Sequence, residues 1–268
     1  MMNAQEKLKE RLNKNLHICV GLDTDLNKIP SHLFKTNEPI LEFNKIVIEN
    51  TYEDAAAYKI NFAFYERLGS RGLDIIQKTL EFIPKNILTI ADAKRGDIGN
   101  TSEMYAKAIF EELNFDSITL HPYMGFDSIQ PFFIYKNKIS FLLALTSNIG
   151  ANDFEKIKSS EGKFLFQHVI EKSNEWNINK NLGIVFGATK IEELKENISL
   201  FNELYVLLPG VGAQGGSLED VVKTFDLNNS KNYLINVSRA LIYCDTSKNF
   251  GEAISHTIKE YNRKVVSN

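Results

Sequence analysis

The chain has 268 residues, of which 43% are hydrophobic and 24% charged, a composition typical of a globular protein with one large core or two small ones. Its net charge of −3 provides no electrostatic footprint for nucleic acid or an anionic membrane, so we expect neither as a partner. The first 15 residues lack the apolar core of a signal peptide, and no run reaches the length of a membrane span, so a cytoplasmic location is expected.

Short β-rich runs alternate with longer segments of helical periodicity. An extra N-terminal helix is predicted over residues 1–14. Strands are predicted over residues 17–22, 55–62, 87–93, 117–120, 141–146, 182–187, 204–210 and 233–238. Apolar residues at helical spacing predict helices that include 40–52, 101–113, 154–176 and 191–201.

Near-continuous apolar strands indicate a parallel sheet that is covered by helices. Eight β-α units in about 270 residues predict an α/β fold, a (β/α)8 TIM barrel. The alternative is an open doubly wound sheet. Because no linker or low-complexity segment divides the chain, we expect residues 1–268 to form a single catalytic domain.

The two cysteines, Cys19 and Cys244, are too few to suggest a disulfide framework. Both lie among apolar residues, and Cys19 falls within the first predicted strand. The sequence therefore predicts two buried, reduced thiols.

Polar or charged residues end nearly every predicted strand. They include Asp23, Asp92, Lys94, His121, Ser147 and Arg239, while Lys59 interrupts the second predicted strand. In a barrel these positions meet at the C-terminal face, where active sites are found. This convergence is the main evidence from the residues themselves that the chain is an enzyme.

The most informative segment is the third strand and the turn that follows it. Asp92 and Lys94 share one face of a regular strand, and Asp97 lies beyond them on a glycine-flanked turn. With Lys59 from the neighbouring strand they can form an alternating network of two ammonium and two carboxylate groups, in which each charge is paired. A lysine held in this way can protonate a developing carbanion. The alternative is a salt-bridged cluster at a strand end.

The residues that follow this turn have a simpler explanation. Asn100 and Glu103 form the signature of a helix N-cap near Thr101. Capping does not explain Asp97, which can reach outward to a partner subunit.

A second constellation follows the seventh and eighth strands. Glycines at 210, 212, 215 and 216 allow backbone amides to approach an anion, Gln214 stands at the loop tip, and Ser217 can cap the next helix. Arg239 begins the last β-α loop and is suited to a phosphate. Since these loops commonly bind phosphate in barrels, the pattern predicts a phosphate site. The alternative is a flexible turn and a surface arginine.

Two polar residues allow more than one interpretation. Asp23 can accept hydrogen bonds from a sugar hydroxyl or serve as a turn or cap residue. His121 has no second ligand at metal spacing, so a structural or substrate-lining role is favoured over a metal site. We expect no metal and no cofactor.

The segment DAKRGDIGNT closely resembles the signature of orotidine 5′-phosphate decarboxylases, and further motifs fall in that family's order. They are GLDTD, YKINFAFYE, LTSN, LPGVGAQGG and NVSRALIY, between about residues 17 and 243. The resemblance is to the bacterial subgroup, from which this chain departs at Ile149 and Ala151, where proline and serine are usual.

The resemblance implies decarboxylation of orotidine 5′-monophosphate to uridine 5′-monophosphate, in pyrimidine synthesis, by a homodimer with shared active sites. Its implied roles are ribose binding by Asp23; charge-network anchoring by Lys59; contact with the substrate carboxylate by Asp92; protonation of C6 by Lys94; reach into the other subunit's site by Asp97 and Thr101; pyrimidine contact by Ser147; and phosphate binding by Gln214 and Arg239. The alternatives are a metal-dependent sugar-phosphate decarboxylase or aldolase of the same barrel group, and a barrel that binds phosphorylated ligands without turnover.

Overall fold

A computed structural model describes residues 2–211 and 215–266 of the chain. In this part of the chain, eight parallel strands pair in sequence order, and β8 pairs with β1 to close a barrel. The strands are β1 (Ile18–Leu22), β2 (Ala57–Asn61), β3 (Leu88–Arg95), β4 (Ser117–Leu120), β5 (Ile139–Leu145), β6 (Leu182–Phe186), β7 (Tyr205–Pro209) and β8 (Tyr233–Val237). The (β/α)8 prediction is confirmed, and because the sheet closes, the open doubly wound alternative is wrong.

Helices surround the barrel and connect its strands. They are α1 (Ala4–Asn13), α2 (Pro39–Glu49), α3 (Phe62–Glu66), α4 (Ser70–Phe82), α5 (Gly99–Lys107), α6 (Gln130–Phe133), α7 (Leu165–Trp176), α8 (Ile191–Asn197), α9 (Leu218–Leu227), α10 (Arg239–Ile242) and α11 (Phe250–Val266). The helix predicted over residues 101–113 is α5 continued by a π-helical turn over Ala108–Glu112.

The helix predicted over residues 154–176 is wrong in its first half. Only Leu165–Trp176 is helical, and the preceding residues form a 3-10 turn at Ile149–Asn152, further turns, and an isolated bridge between Lys158 and Phe164. Gly162 has a φ of +79°, which an α-helix does not contain. Apolar residues at helical spacing continue through residues 154–164, although the backbone there forms turns and not a helix.

The buried residues fall into two layers, because strand side chains alternate between the inside and outside of the barrel. The outer layer lies between strands and helices, with Val20, Ile60 and Ile118 among its members. The inner layer includes Ile90 and Phe141 and fills the N-terminal half of the barrel. Inner positions nearer the strand C-termini are polar, and these form the site described below.

Helix α1 closes the N-terminal end of the barrel. It begins with a capping box between Asn3 and Glu6, and its Leu8 and Leu12 pack into the inner layer of the barrel. Lys7 Nζ forms an ion pair of 2.7 Å with Asp116 Oδ1 at the start of β4. The predicted N-terminal helix is therefore confirmed, and its position leaves the C-terminal end of the barrel as the open one.

The cysteine prediction is confirmed for one residue and wrong for the other. Cys19 is buried inside the barrel, and this burial raises the pKa of its thiol to about 12. Cys244 is exposed, because it follows the short helix α10 in a surface connection. No helix in residues 2–211 and 215–266 is long and apolar enough to cross a membrane.

Candidate active site

A row of alternating charges lies at the C-terminal end of the barrel. The ammonium of Lys59, from β2, is 2.8 Å from Asp92 Oδ2 on β3 and 3.6 Å from Asp23 Oδ1, which follows β1. Asp92 Oδ1 in turn lies 2.6 Å from Lys94 Nζ. The neighbouring strands hold these groups together because Lys59 and Asp92 both occupy inward-facing positions near the ends of β2 and β3.

The row keeps its members charged despite burial. Burial alone raises the pKa of the Asp92 carboxyl, but the ammonium groups of Lys59 and Lys94 outweigh it and hold that pKa well below its usual range. For Lys59, burial favours the neutral amine, yet Asp92 and Asp23 reverse the effect and raise its pKa above the ordinary lysine value. The site therefore presents fixed, paired charges at neutral pH.

Lys94 reaches the row through an irregular backbone. Its φ is +47°, in the left-handed region, and the pairing of β3 with β4 shifts register between Ala91 and Arg95. The prediction that Lys94 and Asp92 lie together is confirmed, but a regular alternating strand is not the reason. The side chain of Lys94 is 49% exposed, whereas that of Lys59 is 5% exposed.

An open cavity of about 290 Å³ lies above the row. Its apolar lining comes from Leu143, Val185 and Leu207, which are inward-facing side chains of β5, β6 and β7. Its polar lining includes the charged row together with Asn61, Thr119, Ser147, Asn236, Ser238 and Arg239. A cavity lined by both apolar side chains and charged groups suits a ring that carries an ionised substituent.

Of the predicted phosphate residues, Gly210 and Arg239 line this cavity. Arg239 is exposed at the start of α10, and its guanidinium makes no ion pair or hydrogen bond with the described residues. Gly210 also lines the cavity with a φ of +103°, and Ser217 caps α9 by accepting a hydrogen bond of 3.1 Å from Asp220 N. Gln214 lies outside the described residues.

Asp97 and Thr101 do not line the cavity of their own chain. The Asp97 carboxylate accepts a hydrogen bond of 2.8 Å from Ile98 N, and Thr101 is exposed on α5. In the chain itself, the second carboxylate of the alternating row is therefore Asp23, which closes on Lys59 from β1.

The predicted cap near Thr101 is wrong. Helix α5 begins at Gly99 after Ile98, without a side-chain cap, and Glu103 forms an ion pair with Lys107 at 2.6 Å. Asn100 thus lies inside the first turn, where a capping geometry is not available. His121 does not line the cavity, and it packs against Gly96.

Several polar residues of the cavity, Asn61, Thr119 and Asn236 among them, were not predicted as site residues, and Ser238 was noted only as a neighbour of Arg239. Thr119, two residues before His121, donates a hydrogen bond of 3.0 Å to Asp92 Oδ1. Asn236 Oδ1 and Ser238 Oγ are buried without a hydrogen-bond partner among the described residues. Their alternate spacing at the end of β8 was the available signal, since residues two apart face the same side of a strand.

Residues 16–254 match the family model described as the orotidine 5′-phosphate decarboxylase / HUMPS family. An orotidine 5′-phosphate decarboxylase from Christiangramia forsetii is 50% identical over 94% of this chain and 93% of its own length. One from Flavobacterium johnsoniae is 48% identical over 94% of this chain and 92% of its own length.

Solved structures agree with these relatives. Leishmania donovani OMP decarboxylase superposes with a TM-score of 0.84 at 36% identity, over 98% of this chain and all of its own. Leishmania donovani UMP synthase gives a TM-score of 0.86 at 37% identity, and this chain spans 57% of its length.

No group of three or more His, Cys, Asp or Glu side chains that could hold a metal ion is present in the part of the chain that the structure describes.

Proposed function

Because the chain belongs to the orotidine 5′-phosphate decarboxylase / HUMPS family, we propose that it converts orotidine 5′-monophosphate to uridine 5′-monophosphate and carbon dioxide. The observation that carries this proposal is the row Asp23, Lys59, Asp92 and Lys94 at the edge of an open cavity. Only Lys94 in this row combines an ammonium group with substantial exposure. The reaction needs one positioned proton donor beside a breaking bond to a carboxylate.

In the proposed mechanism, the bond between C6 of the pyrimidine and the carboxylate carbon breaks. The electron pair stays on C6, carbon dioxide leaves, and Lys94 Nζ transfers a proton to C6. Asp92 lies beside the departing carboxylate, and the paired charges are already oriented before the reaction begins. Such preorganised electrostatics is usually the largest catalytic contribution.

The rest of the substrate would be held by groups around the cavity. Asp23 would accept a hydrogen bond from a ribose hydroxyl, which also supplies a partner for its buried Oδ1. Ser147 would contact the pyrimidine, and Arg239 with Gln214 would bind the phosphate. Arg239 supports this because it is unpaired among the described residues and exposed beside the cavity. Binding energy from the remote phosphate would position C6 against Lys94.

The active enzyme is proposed to be a homodimer in which Asp97 and Thr101 serve the partner's site. Two features support this. Neither residue lines the cavity of its own chain. Large apolar side chains next to them in the chain are exposed: Ile98 at 64% and, on α5, Met104 at 52%. Exposed large apolar side chains are typical of a protein interface.

Two broader expectations accompany the proposal. Residues 1–268 are taken to act as one catalytic domain, since all eight strands contribute to one barrel and α1 closes its end. A cytoplasmic location is supported by the exposed free thiol of Cys244, which fits a reducing compartment.

The test is loss of the orotate chromophore when purified protein meets orotidine 5′-monophosphate in the presence of EDTA. We expect turnover by the wild type and by Lys85→Ala, an exposed lysine at the opposite end of the barrel. Lys94→Ala should lose turnover and keep its circular dichroism spectrum. A wild-type enzyme that needs a divalent metal would instead support a metal-dependent reaction, and nucleotide binding without turnover would support a silent barrel.

A further inference from the structure

The backbone at Lys94 is unusual for a strand and needs a cause. Between the pairs Ala91↔Ile118 and Arg95↔Leu120, β3 contains three residues and β4 contains one, which is Thr119. Two extra residues of β3 therefore bulge opposite Thr119, and Lys94 adopts its left-handed conformation within this bulge. A lysine gains nothing intrinsic from that conformation, so contacts around it must stabilise it.

Thr119 supplies these contacts through one hydroxyl group. Its Oγ1 accepts a hydrogen bond of 3.1 Å from Lys94 N and donates one of 3.0 Å to Asp92 Oδ1. The directions are fixed, because a backbone N–H only donates and an ionised carboxylate only accepts. Although Thr119 lines the cavity, it is only 1% exposed. Because of this burial, water has little access to the position of its hydroxyl group.

These bonds complete a closed circuit around the proposed proton donor. Asp92 Oδ1 receives both the Thr119 hydroxyl and the Lys94 ammonium, while Asp92 Oδ2 receives Lys59. The hydroxyl thereby fixes which carboxylate oxygen faces which lysine. It also ties the backbone amide of Lys94 to the same carboxylate that holds its side chain.

We propose that Thr119 is a positioning residue for decarboxylation, acting as a clamp between the Lys94 backbone and Asp92. This inference rests on the proposed function. Thr119 transfers no proton to the substrate; it keeps the Lys94 ammonium and Asp92 in the geometry that the reaction uses. Misplacement of a catalytic group by about 1 Å can cost about a hundredfold in rate.

The experiment compares variants that remove or keep the hydroxyl. Thr119→Val keeps the shape and removes the hydroxyl, and we expect kcat to fall at least about tenfold with KM changed less than about threefold. Thr119→Ser keeps the hydroxyl and should restore kcat to within about threefold of the wild type. Thr119→Ala removes the same hydroxyl with less volume, so it carries the same prediction where the valine variant does not fold.

Thr89 provides a matched control on the same pair of strands. Its hydroxyl accepts a hydrogen bond of 3.0 Å from Asp116 N and donates one of 3.2 Å to Asp116 Oδ2, at the opposite end of the barrel. Thr89→Val therefore removes an equivalent clamp outside the site. It should lower the unfolding midpoint and leave kcat unchanged.

A second measurement reports on the clamp directly. Amide hydrogen exchange at Lys94 should accelerate at least about tenfold in Thr119→Val, because its hydrogen bond is lost, and remain slow in Thr119→Ser and Thr89→Val. Wild-type kcat or a wild-type Lys94 exchange rate in Thr119→Val would overturn the clamp, as would an equal loss of kcat in Thr89→Val. Failure of the proposed function is distinct, since the wild type itself would then show no turnover.

Discussion

Replacing Lys59 with methionine tests whether the buried ammonium of Lys59 stabilises the charged row and the fold around it. The change keeps most of the side-chain volume and removes the charge that lies between Asp92 and Asp23. Asp92 then keeps Lys94 as its remaining ion-pair partner among the described residues, and Asp23 loses its partner. Two carboxylates that were paired become under-compensated in a largely buried site.

The magnitude follows from the distances. At an effective dielectric constant of about 20, charges 2.8 Å and 3.6 Å apart attract by about 6 and about 5 kcal/mol. Removal of Lys59 also removes the cost of burying its ammonium, which offsets part of this loss. Breaking a buried pair by removing one partner costs about 3–5 kcal/mol, and we expect Lys59→Met to lower the free energy of unfolding by this amount.

The loss of unfolding free energy in Lys59→Met should depend on pH, and the pKa shifts of Asp92 and Lys59 determine its sign. In the wild type, the lowered pKa of Asp92 contributes stability that is present above its unfolded value and lost as the pH falls through its folded value. The raised pKa of Lys59 contributes stability that is present below the unfolded lysine value and lost as the pH rises through its folded value. At neutral pH both contributions are complete. In Lys59→Met, the pKa of Asp92 rises relative to the wild type, because Lys94 alone then opposes the effect of burial. Acidification therefore protonates Asp92 at a higher pH in the variant, and the difference in the free energy of unfolding between variant and wild type becomes smaller.

Urea unfolding followed by the fluorescence of Trp176, the chain's single tryptophan, measures the effect at equal protein concentrations. The double variant Lys59→Met/Asp92→Asn should recover at least about half of the lost stability, because neutral groups need no counter-charge. Both Lys59→Met and the double variant should lack turnover, because each removes a charge of the proposed catalytic row. An unfolding free energy for Lys59→Met within about 1 kcal/mol of the wild type at neutral pH would refute the reasoning.

Three further changes separate substrate binding from stability. Gly21→Ala would place a Cβ 2.7 Å from Ser238 Cβ, so the cavity wall must shift and KM for orotidine 5′-monophosphate should rise at least about tenfold in steady-state assays. Glu155→Ala removes the acceptor for Thr146 N at 2.7 Å, which should raise KM more than it lowers kcat, and equal effects on both would contradict a loop-anchoring role. Leu8→Ala at the closed end of the barrel should cost about 2–5 kcal/mol in urea unfolding with no change in kcat, whereas a lower kcat would show that α1 is coupled to the site.

The sequence predicted the barrel well because its strands are buried on both faces. Runs such as residues 182–187 are apolar throughout and predict a strand irrespective of their neighbours, and β6 spans Leu182–Phe186 in the structure. The prediction failed where apolar spacing was not matched by burial. Residues 154–164 carry helical spacing, yet Phe154 and Ile157 are exposed, at 59% and 52%. Periodicity reports a helix only when one face has a core to pack against.

Part of the charged row could be predicted from the sequence, but not all of its connections. Lys59 and Asp92 could be placed together because both belong to inward positions of adjacent strands. Asp23 as the second carboxylate of the row could not, because its distance to Lys59 depends on how β1 closes against β2. The bulge at Lys94 likewise depends on Thr119 of another strand.

The two lysines of the row differ in a way that assigns their proposed roles. Lys59 lies between two carboxylates, is almost entirely buried, and has a raised pKa. Releasing its proton would leave Asp23 without a counter-charge among the described residues and Asp92 with Lys94 alone. Lys94 ends the row, pairs with one carboxylate and faces the open cavity. When Lys94 gives up its proton, Asp92 keeps Lys59 as a partner 2.8 Å away. Because Lys59 still neutralises Asp92 after the transfer, Lys94 can lose its positive charge without leaving Asp92 unpaired. This favours Lys94 over Lys59 as the proton donor.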